Sequence, residues 1–253
     1  MRIIARDMNR RIFVFILCAL CLASCRKQPK SIVRITTEAI PVDSLSDAIQ
    51  DSDYIAFLAP TKAVVDERTS VVLGYAAEDL WVGKPECPML NWATDALWEE
   101  AKRFYPGKVD AAITNAGGIR DCWYAGEITS GMVFELMPFE NTLVVLTLKG
   151  ADLIDLCDTM AVQIPHGIAG MRVVIKNKQV QRVTVGGKPV RPDALYTVAT
   201  NSYLIEGTDH LTAFTRHVDC WDSGQKIRDL YEHAIRTQGT IHAAVDGRMH
   251  MEP

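Results

Sequence analysis

A short apolar run that breaks on two adjacent glycines constrains this chain more than any other feature. Val109 to Thr114 reads as a buried strand, and it runs directly into Asn115-Ala116-Gly117-Gly118-Ile119-Arg120. Adjacent glycines after a strand let the backbone take unusual φ/ψ angles and let a ligand approach closely. Asn115 brings a donor and an acceptor, and Arg120 a planar fork suited to a phosphate or to vicinal hydroxyls. The same residues also read as a tight strand-to-loop turn with a surface arginine, and residue chemistry alone weighs the two equally. The loop is not a P-loop, because the G-x-x-x-x-G-K-[ST] spacing is absent.

Around this loop, strands and helices mix without strict βαβ alternation. Ser31 to Thr37 reads as an opening strand, Asp43 to about Glu67 as a helix interrupted by Pro60, and Thr69 to Tyr75 as a strand. Leu90, Ala93, Leu97, Ala101 and Phe104 fall at helical spacing and predict an amphipathic helix from about Met89 to Phe104. Ser130 to Met137 reads as a short helix, Asn141 to Lys149 as a strand and Gly150 to Met160 as a helix. Met171–Lys176 and Val180–Val185 suggest a hairpin turning at Asn177-Lys178, and Leu195 to Thr200 a further strand. Ile227, Leu230, Tyr231, Ala234 and Ile235 mark a last helix, with Asp222 or Ser223 as its cap and Gly239 as its stop. The pattern implies an α+β fold, a single domain with mixed sheets flanked by helices. A chain of 253 residues, 48% hydrophobic and 23% charged, buries a core of that kind.

The N-terminus reads as an export signal rather than as fold. Arg10 and Arg11 precede an apolar run from Ile12 to Leu22, shorter than the ~20 residues that span a bilayer. Leu22-Ala23-Ser24-Cys25 has the form of a bacterial lipobox. The expected organisation is a lipoprotein signal peptide over 1–24, lipidation at Cys25, a polar tether over 25–30 and a folded domain over 31–253. An ordinary secretory signal cut nearby is the alternative. Arg26, where an Asp would signal inner-membrane retention, fits an exported bacterial lipoprotein that is periplasmic or at the cell surface, at the outer membrane. Residues 1–24 hold three surplus positive charges of a chain whose net charge is −4, so the remainder stands at −7. So acidic a body speaks against duplex nucleic acid as a partner. Beyond the signal, Cys87, Cys122, Cys157 and Cys220 allow three pairings, and no C-x-x-C suggests zinc. Cys157 falls in an apolar helical pattern and reads as a buried thiol.

Several linked motifs then carry a resemblance. The glycine loop, Gly126-Glu127-Ile128-Thr129, Pro138-Phe139-Glu140-Asn141-Thr142-Leu143, Leu148-Lys149-Gly150, Tyr196 to Leu204 and Val245-Asp246-Gly247-Arg248-Met249 resemble, in order and spacing, the C-terminal domain of bacterial and animal 5′-nucleotidases. Taken singly, Phe139 reads as core, Tyr203 as a ring packed on a sheet and Asp209 as a turn cap. The resemblance implies instead a nucleotide site. Phe139 and Tyr203 would sandwich the base, and Asn115, Gly117, Gly118 and Arg120 would meet nucleoside and phosphate. Asp209 would accept the ribose hydroxyls.

The resemblance also exposes departures. The family commonly has Gly-Gly-Asp-Gly around that aspartate, whereas this chain has Gly207-Thr208-Asp209-His210. A family arginine ahead of the helix that opens near Met89 maps to about Pro85, with Lys84 beside it. The family's two-metal catalytic half needs D-x-H, N-H-[DE] and G-H-x-H motifs, and none occurs here. His210, His217, Asp219 and Cys220 are close in sequence, but they match no standard zinc spacing and read as a polar loop. The expectation is therefore the substrate-binding half of a split 5′-nucleotidase, with a separate metallophosphoesterase chain as partner. This chain would need no cofactor, and divalent metals would belong to that partner. The alternatives are a non-catalytic nucleotide- or nucleoside-binding lipoprotein and a decayed structural domain.

Overall fold

Apolar residues on both sides of the strand that leads into the glycine loop place it in the middle of the protein. The computed structural model describes residues 32–41, 51–162 and 166–252. The expected signal, Cys25, the tether and residues 43–50 of the helix expected from Asp43 to about Glu67 lie outside the described residues. The chain divides into two units, Met1–Ser52 and Asp53–Pro253. In the first, residues 32–41 carry no regular secondary structure. The strand expected there is not formed among the described residues: Ile32, Val33 and Ile35 are exposed and pair with no described strand.

The elements run α1 (Ser52–Thr69), β1 (Val72–Ala76), α2 (Pro88–Phe104), β2 (Ala111–Asn115), β3 (Gly126–Thr129) and α3 (Ser130–Leu136). They continue with β4 (Thr142–Lys149), α4 (Gly150–Val162), β5 (His166–Ala169), β6 (Met171–Lys176), β7 (Gln179–Val185) and β8 (Lys188–Pro189). The last are β9 (Leu195–Asn201), β10 (Asp219–Lys226), α5 (Ile227–Gln238), β11 (Thr240–Ile241) and β12 (Met249–Glu252). Three sheets form, ordered β11-β1-β3, β10-β4-β9-β2-β5 and β12-β6-β7-β8. Each mixes parallel and antiparallel pairs, with β1–β11, β2–β9 and β6–β12 parallel. The α+β expectation of mixed sheets flanked by helices holds.

Two core clusters explain the five-stranded sheet. Side chains of a strand alternate between faces. Leu143 and Val145 of β4 join Ala112 and Ala199 against Leu90, Ala93, Leu97 and Ala101 of α2. Val144, Leu146 and Leu148 join Ile113 and Val198 against Leu153, Leu156 and Cys157 of α4 and Val173 and Ile175 of β6. The inner strands β2 and β4 are thus buried on both faces, which is why they read as continuous apolar runs, whereas β10 at the sheet's edge is mostly exposed. Burial raises the Cys157 pKa, as a buried thiol requires.

Some boundaries differ from expectation. Pro60 lies inside an uninterrupted α1. The helix is exposed along its length, so water can satisfy the carbonyl that proline leaves without a partner. Asp222 and Ser223 do not cap α5, because β10 continues to Lys226, whose extended backbone precedes the helix. Asp222 instead accepts from the Gly224 N–H at 2.9 Å, and the Ser223 hydroxyl donates to the Leu143 carbonyl at 2.8 Å. Gly239 ends α5 at φ 69°, as expected. Asn177 and Lys178 take φ 51° and 62°, the left-handed pair of a two-residue hairpin turn. Cys87, Cys122, Cys157 and Cys220 are all free. No described helix is long and apolar enough to cross a membrane.

Candidate functional site

Strands β2 and β9 are parallel neighbours, and each ends on an asparagine, Asn115 and Asn201. An apolar strand delivers each amide to the same end of the sheet, where the apolar run stops. There the two side chains join. Asn201 Nδ2 donates to Asn115 Oδ1 at 3.1 Å, and Asn201 Oδ1 accepts from the Leu204 N–H at 3.0 Å. Asn115 Nδ2 then donates to Asp209 Oδ2 at 2.7 Å, and the Tyr203 hydroxyl donates to Asp209 Oδ1 at 3.2 Å. Each carboxylate oxygen thus carries one bond from the protein and keeps acceptor capacity.

A cavity of about 300 Å³ opens over this network, lined by Asn115, Gly117, Gly118, Arg120, Phe139, Asn141, Tyr203 and Asp209. The seven residues expected to meet a ligand therefore line one cavity. Phe139 and Tyr203 are 42% and 44% exposed, so neither ring is core. Arg120 is exposed, and its side chain makes one long bond, Nη1 to the Gly117 carbonyl at 3.3 Å. Asn141 and Asn201 were not among the predicted residues. The signal for Asn201 was present, a polar residue closing an apolar strand in the manner of Asn115.

The glycine loop works differently from the expectation. Neither Gly117 nor Gly118 has a positive φ. A Cβ at Gly118 would lie 2.9 Å from Asn115 Oδ1, so the glycine leaves room for the amide rather than supplying an unusual turn. The unusual φ values fall in the later loop, where Gly207, Asp209 and His210 take 75°, 53° and 63°. His210 keeps a left-handed backbone at a position where the resembling family has glycine. Asp and His adopt that region more readily than most residues, at a cost of roughly 1–2 kcal/mol.

Phe139 is positioned from behind. Its neighbour Glu140 pairs with Lys226 and with Arg228 Nη2, the latter at 2.5 Å. Arg228 Nη1 also donates to the Met137 carbonyl at 3.2 Å, and its guanidinium lies 4.4 Å from the centre of the Phe134 ring. Hydrogen bonds from Lys226 and Arg228 hold the Glu140 carboxyl down at about 2.

Other sequence candidates lie elsewhere. Lys84 and Pro85 line a different cavity with Met160, Ile175 and Met249. Asp219 and Cys220 begin β10, and His217 Nδ1 meets the Phe214 carbonyl at 2.8 Å. Among the described residues no three His, Cys, Asp or Glu side chains group closely enough to hold a metal ion. The two-metal chemistry of the resembling family finds no fitting donor set in them.

A family model described as the 5′-nucleotidase C-terminal domain matches residues 70–216, more than half of the chain. The 5′-nucleotidase of Vibrio cholerae is 26% identical over 193 residues, 74% of this chain and 35% of its own length. Protein UshA of Yersinia enterocolitica is 33% identical over 169 residues, 63% of this chain and 30% of its own. A 5′-nucleotidase precursor from Thermus thermophilus superposes with a TM-score of 0.69 at 25% identity, covering 79% of this chain and 43% of that one. The NAD nucleotidase of Haemophilus influenzae shares the fold, with a TM-score of 0.64 at 18% identity over 79% of this chain and 41% of that one. The chain thus spans about a third of the two relatives and under half of either solved chain.

Proposed function

The chain belongs to the 5′-nucleotidase C-terminal domain family, and from that premise we propose that it is the nucleotide- or nucleoside-binding half of a 5′-nucleotidase-type phosphohydrolase. In this reading it positions its substrate for a separate metallophosphoesterase chain that supplies the metals. The observation that carries the reading is the convergence of Phe139, Tyr203, Asn115, Arg120 and Asp209 on one cavity. Its size is at the lower end of ligand pockets, ~300–1,000 Å³. Two half-exposed rings offer faces to a base, and stacking of that kind contributes about 1–3 kcal/mol per base. Asp209, held by Asn115 and Tyr203, retains acceptors for a sugar diol. Arg120, with most of its donors unspent, is left to meet a phosphate or its ester. Holding the ester in place for a partner is a proximity contribution. We place the protein at the outer membrane through lipid on Cys25, facing the periplasm or the cell surface.

A second reading, a binding lipoprotein with no catalytic partner, is favoured by the single cation among the described lining residues, which suits a nucleoside as well as a nucleotide. One experiment separates the two. The full chain is titrated with AMP, UDP-glucose and adenosine by calorimetry, with Phe139→Ala and Arg120→Ala alongside, and then mixed with metallophosphoesterase chains encoded nearby. Saturable binding weakened in both variants, with phosphate release only in the mixture, is the expected result. Binding without stimulation by any partner favours the second reading. No binding by any of the three ligands overturns both.

A further inference from the structure

Behind the pocket, β5 places His166 directly opposite Asn115 in the antiparallel β2–β5 ladder. Opposed residues of such a pair project to the same face, so the imidazole lies beside the amide that donates to Asp209. The residue is 4% exposed, and neither Nδ1 nor Nε2 has a hydrogen-bond partner among the described residues. Burying two bare polar atoms is costly, and an apolar side chain of similar size would fill the same space at lower cost. Burial keeps the ring neutral, with its pKa lowered to about 4, and the charge that acts on it is that of Asp209. A neutral imidazole offers one N–H donor and one bare nitrogen acceptor. Its neighbours Asn115 and Asp209 are both parts of the ligand network.

We propose that His166 is a positioning residue of this site: when a ligand enters, its free nitrogens join the Asn115–Asp209 pair, directly or through one buried water, and hold the carboxylate to receive the vicinal hydroxyls of a sugar. This rests on the reading of the pocket as a nucleoside or nucleotide site. Unlike the lining residues, His166 would touch the ligand's partners rather than the ligand itself.

The test compares adenosine with 2′,3′-dideoxyadenosine on the full chain as wild type, His166→Leu and His166→Gln. His166→Leu is expected to keep or raise the Tm, because it removes two unpartnered buried nitrogens. It should weaken adenosine about fivefold to tenfold while leaving the dideoxy analogue unchanged, and His166→Gln should recover most of the loss. Equal affinity for adenosine in wild type and His166→Leu overturns the proposal, as does an equal loss for both ligands, which marks a packing residue. Should His166→Leu not fold, the His166 ring ¹⁵N shifts of the wild type decide. They should move on adding adenosine and stay fixed with the dideoxy analogue, and the absence of that difference overturns the proposal. A wild type that binds neither ligand sinks the reading of the pocket together with this role, whereas a binding wild type matched by its variants sinks this role alone.

Discussion

Arg120 and Arg248 each line a cavity of similar size, about 300 and 280 Å³, yet they use their donors in opposite ways. Arg248 spends all five. Nη1 and Nη2 meet the two oxygens of Asp95 at 2.7 and 2.9 Å, and Nε and Nη2 meet those of Asp246 at 3.1 and 3.0 Å. Nη1 also donates to the Ile168 carbonyl at 3.0 Å. Arg120 makes one long bond to a carbonyl and leaves the rest of its fork to solvent. The backbones differ as well. The Arg248 cavity is lined by Gly170 and Gly187 at φ 71° and 77°, where glycine costs nothing sterically. The Arg120 cavity has Asp209 and its neighbour His210 in the same region without that freedom. A fork saturated within the protein ties α2 to the chain's end. The Arg120 fork is left unsaturated beside a loop held in the left-handed region.

This contrast can be broken most directly at Arg248. Arg248→Met should cost roughly 2–3 kcal/mol in chemical denaturation. That is below the ~3–5 kcal/mol of a fully buried broken pair, because Asp95 and Asp246 remain partly in water. Arg120→Ala should stay within about 0.5 kcal/mol of wild type in the same assay. Equal losses in the two variants would erase the distinction between a guanidinium saturated within the protein and one left open.

The backbone half of the comparison is sharpened by His210→Gly. Relief of the left-handed conformation outweighs the added chain entropy, so stability should rise by roughly 0.5–1 kcal/mol. A variant that is less stable than wild type would mean that the His210 side chain, and not its backbone, governs the loop.

The smallest effect belongs to the ion pairs behind Phe139. A carboxylate whose folded pKa lies below its unfolded value stabilises the fold above that unfolded value, and the gain fades as pH falls through the folded one. For Glu140 the window runs from its ordinary 4.5 down to about 2. Glu140→Gln should therefore lower stability slightly at neutral pH, because the exposed pairs are screened by water, flatten the further loss with acid across that window and match wild type below it. An unchanged acid profile would show that Lys226 and Arg228 do not hold this carboxylate in solution.

The parts legible in the sequence are those where the cause is local. The α2 stripe at Leu90, Ala93, Leu97 and Ala101 lies at one periodicity, and the Asn177-Lys178 turn declares its own hairpin. The strands that went unread, β3, β5, β8 and β10–β12, are short or polar, and pairing rather than composition makes them strands. β10 carries Asp219, Asp222, Gln225 and Lys226, yet it runs antiparallel to β4 because that edge of the sheet is open to it. Lys84 shows the converse failure. Nearness in sequence to a family arginine position did not bring it to the cavity lined by Arg120.

The site divides the same way. By itself the sequence picked out residues that line one cavity, because Asn115, Arg120, Phe139, Tyr203 and Asp209 stand in motifs whose order along the chain is enough to recognise. Only the tertiary structure decided that Asn201 and His166 stand with them. Asn201 reaches Asn115 through the parallel β2–β9 pairing, and His166 through the antiparallel β2–β5 pairing. The state of each donor was also settled only in three dimensions. Arg120 and Arg248 are identical side chains, and what distinguishes them is whether carboxylates from distant segments close on the fork.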